Sequence, residues 1–368
     1  QRLPERLEDG LGDRERVAQR TLAQLEHVAQ QDEAVDLPEA RAERVERLGT
    51  AQDVDGSPGP QVQIRDHERP HREREDSLRP MPQAALDGLL VADFTRVLAG
   101  PLCTQTLGDL GADVVKVERP GTGDDTRQWG PPFVAEGSTY HLGLNRGKRS
   151  LVLDLRDPAD LELAVELAAR ADVLLESFRP GTMDRLGLGF DALRERNPRL
   201  VYTSISAFGS GEAQRDLPGY DLLVQAMCGY MSITGEPAGR PLKPGTALVD
   251  MLTGLYATIG TLGALSARER TGEGQHVEVS LMESGLAALL NLGSSFLNTG
   301  DVPGRSGNRH PSIAPYETFA AADRDLALAG GNDAIFVRLC EVLGRADLAA
   351  DERFATNEGR VAHREALR

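Results

Sequence analysis

GLLVADFTRVLAGPLCTQTLGDLGADVVKVERP, running from Gly88 to Pro120, decides the fold. Its first part, GLLVADF (Gly88–Phe94), is a nearly unbroken apolar run of strand length. That is the pattern of a strand covered on both faces. Leu98–Leu110 follows as a helix that Gly111 stops. ADVVKVE (Ala112–Glu118) is a second strand. Reading outward, RSLVLDL (Arg149–Leu155), DVLLESF (Asp172–Phe178) and LVYTSIS (Leu200–Ser206) are further strands. Pro158–Arg170 is a helix with Leu161, Leu163, Ala164 and Leu167 facing inward. Strands alternating with helices imply an α/β fold with a parallel sheet and helices on both faces, a Rossmann-like unit.

After Gly209 the texture changes. Long helices dominate, at Tyr220–Thr234, Asp250–Arg270 and Leu281–Leu297, with a strand HVEVS (His276–Ser280) between the last two. A loop rich in Gly, Pro and Asn (Gly300–Pro315) leads to a strand (Asp325–Ala329) and a helix (Asp333–Leu343). The division expected is a Rossmann-like domain over 81–230, long helices over 231–300 that link the domains, and the start of a smaller α+β domain over 301–368.

Residues 1–80 differ from the rest. They contain no Phe, Tyr, Trp, Met, Cys or Lys, so they offer too little apolar area to offset chain entropy. Met81 is the first methionine, and the apolar texture begins a few residues later. The expectation is that residues 1–80 are a disordered or upstream, non-native extension and that Met81 is the natural start. Intact mass of the native protein tests this.

The chain of 368 residues carries a net charge of -16. Nucleic acid needs a basic face, so it is excluded as a partner. An anionic ligand has to be gathered by local Arg and Lys. Cys103, Cys228 and Cys340 are scattered and odd in number, which excludes a disulfide framework or a Cys-based zinc site and fits a reducing cytoplasm. The first residues are charged and read as no signal peptide. Thr246–Ala267 and Leu281–Leu297 are apolar but hold Asp250 and Glu283, and read as core helices and not membrane spans.

Several chemistries fail on motif. The first strand is not followed by GxGxxG, no P-loop occurs, and GxSxG is absent. His141, His276 and His310 stand singly, so no metal site is expected. One carboxylate is odd: Asp250 in TALVDMLTGLYATIGTLGAL stands at the entrance of a long apolar helix. It reads either as a capping or first-turn acid or as a nucleophile kept ionised by the helix end while apolar neighbours strip its water. Arg119, Arg179 and Arg185 each read singly as surface residues. Their recurrence at successive strand ends, where open α/β sheets bind ligands, points to an anion.

The motifs resemble those of the family III CoA-transferases, the group that includes formyl-CoA transferase, carnitine CoA-transferase and α-methylacyl-CoA racemase. The resemblance runs in order through Leu89–Asp124, Asn145–Leu155, Ala171–Gly189, Asn197–Gly209, Pro218–Gly229, Thr246–Ala257, Arg270–Ser284 and Ser306–Tyr316. It implies that Asp250 is the catalytic residue. It further implies that Val97, Leu98, Arg119, Ser177, Phe178, Arg185, Leu186 and Leu281 contact coenzyme A, a co-substrate and not a tightly bound cofactor. The loop Ser306–His310, with Gly307, Asn308, Arg309 and His310, would cover the intermediates, and Tyr220 would face the acyl group. Oxyanion donors are expected from backbone N–H groups at the helix entrance and in the Gly307 loop.

Two departures from the family pattern narrow the reading. The racemase branch has His where this chain has Tyr220, and Tyr is a poor base at neutral pH, which favours transfer. Leu98 stands where formyl-CoA transferase has Gln, which disfavours oxalate and formate. The text of Pro218–Pro237 looks closest to transferases of succinyl-CoA and other dicarboxylates. The resemblance implies an intertwined homodimer binding acyl-CoA and small carboxylic acids. It also suggests a chain that stops before the family's C-terminal segment. The alternatives are an acyl-CoA racemase and a truncated, inactive acyl-CoA-binding chain.

Overall fold

The computed structural model describes residues 84–211 and 217–368. The expectations for residues 1–80 and for Met81 lie outside the described residues. From Leu90 the chain builds β1 (Leu90–Phe94), α1 (Ala99–Asp109) and β2 (Asp113–Glu118). A two-residue-per-strand hairpin, β3 (Phe133–Val134) with β4 (Gly137–Ser138), leads into α2 (Thr139–Asn145). Then come β5 (Arg149–Val152), α3 (Pro158–Arg170), β6 (Val173–Glu176) and β7 (Val201–Ser206). The helical half holds α4 (Asp221–Met227), α5 (Leu248–Thr271), β8 (His276–Ser280), α6 (Leu281–Ala287) and α7 (Leu290–Thr299).

Six strands form one sheet in the order β5-β2-β1-β6-β7-β8, and every pairing is parallel. The register sets Val91 beside Val114 on one side and Val173 on the other. Alternate residues of each strand enter opposite cores. Val91, Val114, Val173, Leu175 and Val201 pack toward α1 and α5, whereas Ala92, Phe94, Val115, Val117 and Leu174 pack toward α3. Both faces are buried, which is why the strands read as continuous apolar runs. The inward set of α3 is Leu163, Ala164, Leu167 and Ala168, with Leu161 partly buried. Its N-cap is Asp157, whose carboxylate accepts from the N–H groups of Ala159 and Asp160.

β8 joins this sheet beside β7 from between two helices. The helix α5 lies along α1, and Gly254 makes the approach possible. A Cβ there would sit 2.7 Å from the carbonyl oxygen of Ala99. By length and composition α5 is the one described helix able to cross a membrane, but it packs against α1, β7 and β8 as a core helix.

Two expected helices are broken. Tyr220–Thr234 divides into α4 and a short turn at Tyr230–Ile233, because Gly229 adopts φ 98°. Leu281–Leu297 divides at Ala288–Leu289, where Leu290 has φ 45°. Beyond Gly300 an antiparallel hairpin, β9 (Tyr316–Ala320) with β10 (Asp325–Ala329), precedes α8 (Asp333–Val342) and α9 (Asn357–Ala362). The strand at 316–320 is an addition to the sequence reading. Phe336, Cys340 and Phe354 form a small separate core, and buried Arg360 ties it together through the carbonyls of Ala314 and Phe354 and the Asp333 carboxylate.

Candidate active site

The strand order reverses between β1 and β6, so the loops that leave these two strands part and open a crevice at the C-terminal edge. Two cavities lie there. One, of about 330 Å³, is lined by Val97, Leu98, Ser177, Phe178, Arg179, Tyr220, Asp250 and Leu281, among others. The other, of about 590 Å³, is lined by Arg119, Phe178, Arg185 and Leu186. Arg96 and Phe178 belong to both and form their shared wall. The guanidinium of Arg96 lies over the Phe178 ring at 5.5 Å.

Residues far apart in sequence thus meet: the ends of β1, β2 and β6, the Tyr220 turn, and the starts of α5 and α6. Ser306–His310 line neither cavity. Within this chain they pack elsewhere, with the Gly307 N–H donating to the Gly235 carbonyl (3.0 Å) and Arg305 reaching the Glu236 and Gly239 carbonyls. Tyr220 is two-thirds exposed on the rim.

Asp250 occupies the first turn of α5, but the helix end does not serve it in the way the sequence suggests. Asp221, the residue after Tyr220, places one carboxylate oxygen against the N–H groups of Val249 (2.9 Å) and Asp250 (3.2 Å). Gln225 holds the other oxygen at 2.6 Å. The N–H groups of Leu248 and Met251 go to the carbonyls of Thr246 and Ala247. All four donors from Leu248 to Met251 are therefore engaged, and none is free for an oxyanion. This corrects the expectation that the helix entrance supplies such donors and keeps Asp250 ionised.

The result for Asp250 is the opposite of a lowered pKa. Burial first, and the Asp221 charge second, push its carboxyl up to about 7. No side chain among the described residues hydrogen-bonds that carboxyl. A poorly solvated carboxylate with a raised pKa is a better nucleophile than one in water. Tyr140, on α2, feels the same charges: burial first, then Asp250 and Asp221, push its phenol up to about 12. It stays a neutral hydroxyl, able to donate. Neither Asp221 nor Tyr140 was singled out from sequence. The only signal for Asp221 was its place directly after Tyr220.

The β1–α1 loop differs from a glycine-rich phosphate loop. Three of its N–H groups are already taken by the protein: Thr95 donates to Asp93 (2.9 Å), Arg96 to the Ser177 hydroxyl (3.1 Å) and Val97 to Asp124 (3.3 Å). An anionic ligand can be met here by side chains and by the uncapped N–H groups of Leu98, Ala99 and Gly100, which line the smaller cavity. Arg96, Arg119 and Arg185 stand at the cavities, with Arg119 held by Asp125 and by the Gly123 carbonyl. Among the described residues no group of three or more His, Cys, Asp or Glu is placed to hold a metal ion.

Comparison with known proteins agrees with this geometry. The family model for CoA-transferase family III matches residues 86–368. A succinate–glutarate CoA-transferase from Agrobacterium fabrum is 47% identical over 295 residues, covering 78% of this chain and 74% of that protein. An acetyl-CoA:oxalate CoA-transferase from Acetobacter aceti is 46% identical over 288 residues, covering 78% and 74%. Among solved structures, a CAIB/BAIF family protein from Brucella suis superimposes with a TM-score of 0.69 at 47% identity, over 77% of this chain and 76% of that one.

Nucleophilic Asp250 has to be ionised, so kcat/KM should fall tenfold per pH unit below about 7 and be flat above it. Glu176, buried beside the Phe178 backbone, is also pushed up to about 7 by burial and could produce the same limb. Asp221→Asn separates them, because it removes a charge felt by Asp250 and keeps an oxygen for the helix cap. The limb should move to lower pH in this variant. An unmoved limb would assign it to Glu176.

Proposed function

The chain belongs to CoA-transferase family III and is a CoA-transferase, and from that premise we propose that it passes coenzyme A between dicarboxylic acids through a thioester on Asp250. The observation that carries the proposal is the meeting of a half-buried carboxyl, raised to about 7, with Val97, Leu98, Ser177, Phe178 and Leu281 in one cavity. Coenzyme A enters as a co-substrate, and no further cofactor takes part.

Each step conserves the thioester's energy in a covalent bond. An Asp250 oxygen attacks the donor's thioester carbonyl. The C–S bond breaks, CoA departs as thiolate, and a mixed anhydride of Asp250 and the donor acid remains. The thiolate then attacks the Asp250 carbonyl carbon. The donor acid leaves as its carboxylate, and Asp250 carries CoA as a thioester. The acceptor carboxylate attacks this thioester, releasing the thiolate and forming a second anhydride. Thiolate attack on the acceptor's carbonyl gives the new acyl-CoA and restores the Asp250 carboxylate. The anhydrides require exclusion of water. The resemblance gives that duty to Ser306–His310.

Dicarboxylate specificity is supported by the names of the two relatives, which include succinate, glutarate and oxalate. Arg96 and Arg179 line the Asp250 cavity and are the cations suited to a second carboxylate. The transfer assay mixes succinyl-CoA with glutarate, with oxalate, or with no acceptor in deuterated water, and follows acyl-CoAs by mass. Glutaryl-CoA should form at the expense of succinyl-CoA, and Asp250→Asn should lower the rate by about a thousandfold or more. Deuterium entering the α-position without any transfer would instead identify a racemase.

A homodimer is part of the same proposal. Leu223, Met227, Leu255, Ile259, Leu286 and Leu297 leave large apolar groups exposed on α4, α5, α6 and α7, and α4, α5 and α6 pack on one another. Such a patch on a soluble chain marks an interface. Sedimentation equilibrium should return twice the chain mass of 39.7 kDa. A monomer that is fully active would contradict this part.

A further inference from the structure

Val97 is strained. It is β-branched, yet it sits at φ 71°, a region ordinarily left to glycine. Both cavities open beside it: Arg96 lines both, and Val97 and Leu98 line the smaller. Something must hold the backbone there, and the groups that do so are buried beneath the loop. Lys116, on β2, is 2% exposed and donates to the Thr95 carbonyl at 3.0 Å. The same ammonium meets Asp124 at 3.0 Å, and Asp124 is 1% exposed. Asp124 in turn accepts the Val97 N–H at 3.3 Å and the Thr126 N–H at 3.0 Å. One ion pair therefore grips the chain on both sides of Arg96, by the carbonyl before it and the N–H after it.

We propose that Lys116 and Asp124 are positioning residues that force the left-handed turn at Val97 and thereby present Arg96 and Leu98 to coenzyme A. A buried ion pair adds little net stability over apolar packing, so the role assigned to it here is the geometry it imposes. The pair replaces the glycines of a dinucleotide loop. Those glycines let the backbone turn freely and leave its N–H groups to the phosphate. Here the turn is imposed by side chains, and one of them also consumes the Val97 N–H, so that Arg96 is turned toward the ligand. A second pair steadies the start of the loop. Lys148 donates to Asp93 (3.1 Å) and to the Pro101 carbonyl (2.9 Å), and Asp93 accepts the Thr95 N–H.

The inference rests on the coenzyme A reading of the cavities, so its first test does not use the ligand. Hydrogen–deuterium exchange of peptides spanning Thr95–Leu98 is measured in the full chain with and without coenzyme A. The Val97 amide should already be protected in the ligand-free protein and change little on addition. Free exchange that becomes slow only with coenzyme A would overturn the proposal, because the ligand and not the ion pair would then make the turn. Failure of coenzyme A to bind at all would strike the functional reading and leave the ligand-free result standing. The second test is kinetic. Asp124→Ala should raise KM for the acyl-CoA donor about fivefold or more, with kcat within about threefold. Adding Val97→Gly, which reaches positive φ without strain, should recover part of that loss. A general loss of folding would lower kcat in step with the folded fraction and would not be relieved by glycine. That pattern would reduce Asp124 to a structural role.

Discussion

A parallel sheet whose strand order reverses leaves a crevice where two neighbouring crossovers depart to opposite faces. In this chain the reversal falls between β1 and β6, and the site is built around it. Arg96 and Ser177 leave the two strands on either side of the reversal and are joined across it by the Arg96 N–H to Ser177 hydroxyl bond. The helix α5 reaches the same edge because Gly254 lets it approach the Ala99 carbonyl closely. That approach brings Asp250, one helical turn earlier, to the mouth of the crevice. Topology supplies the place, and a close helix contact supplies the carboxyl.

Charge is organised to suit a chain that is acidic overall. Beneath the loop, Asp93 with Lys148 and Asp124 with Lys116 are buried pairs whose work is geometric. Desolvation pulls Lys148 down to about 8, with Asp93 partly opposing it. At the surface of the crevice stand Arg96, Arg119 and Arg185, the first two sharing Asp125 as an ion-pair partner. Among the described residues Asp250 pairs with none of these cations, although Arg96 lines its cavity. Its neighbour in charge is Asp221, which neutralises the helix end and at the same time repels the ionised form of Asp250. The helix dipole, which the sequence suggested would favour the Asp250 anion, is answered by Asp221.

Local patterns in the sequence revealed the elements whose environment is uniform. β1, β2, β6 and β7 are covered on both faces and announce themselves as apolar runs, and α3 carries its own cap at Asp157 and a clear inward stripe. Breaks set by a single backbone angle, at Gly229 and Leu290, left the apolar pattern intact and so went unseen. The strand β8 was legible, but its place beside β7 depends on a partner 74 residues away, from Tyr202 to His276, and no local pattern carries that. At the site, Asp250 was visible because an acid interrupts an apolar helix. Asp221 was not, because its role depends on N–H groups 28 and 29 residues further on. Lys116 and Asp124 were not singled out from sequence, and only burial shows them facing each other under the loop.

The central claim is a covalent bond between Asp250 and coenzyme A during turnover. Intact-protein mass spectrometry after incubation with succinyl-CoA, quenched with hydroxylamine or borohydride, tests it most directly when the wild type is compared with Asp250→Asn. The account predicts a quench-dependent mass change that maps to Asp250 and is missing from the variant. A folded, dimeric protein that shows no such change across a panel of acyl-CoAs, while still transferring CoA, would contradict it.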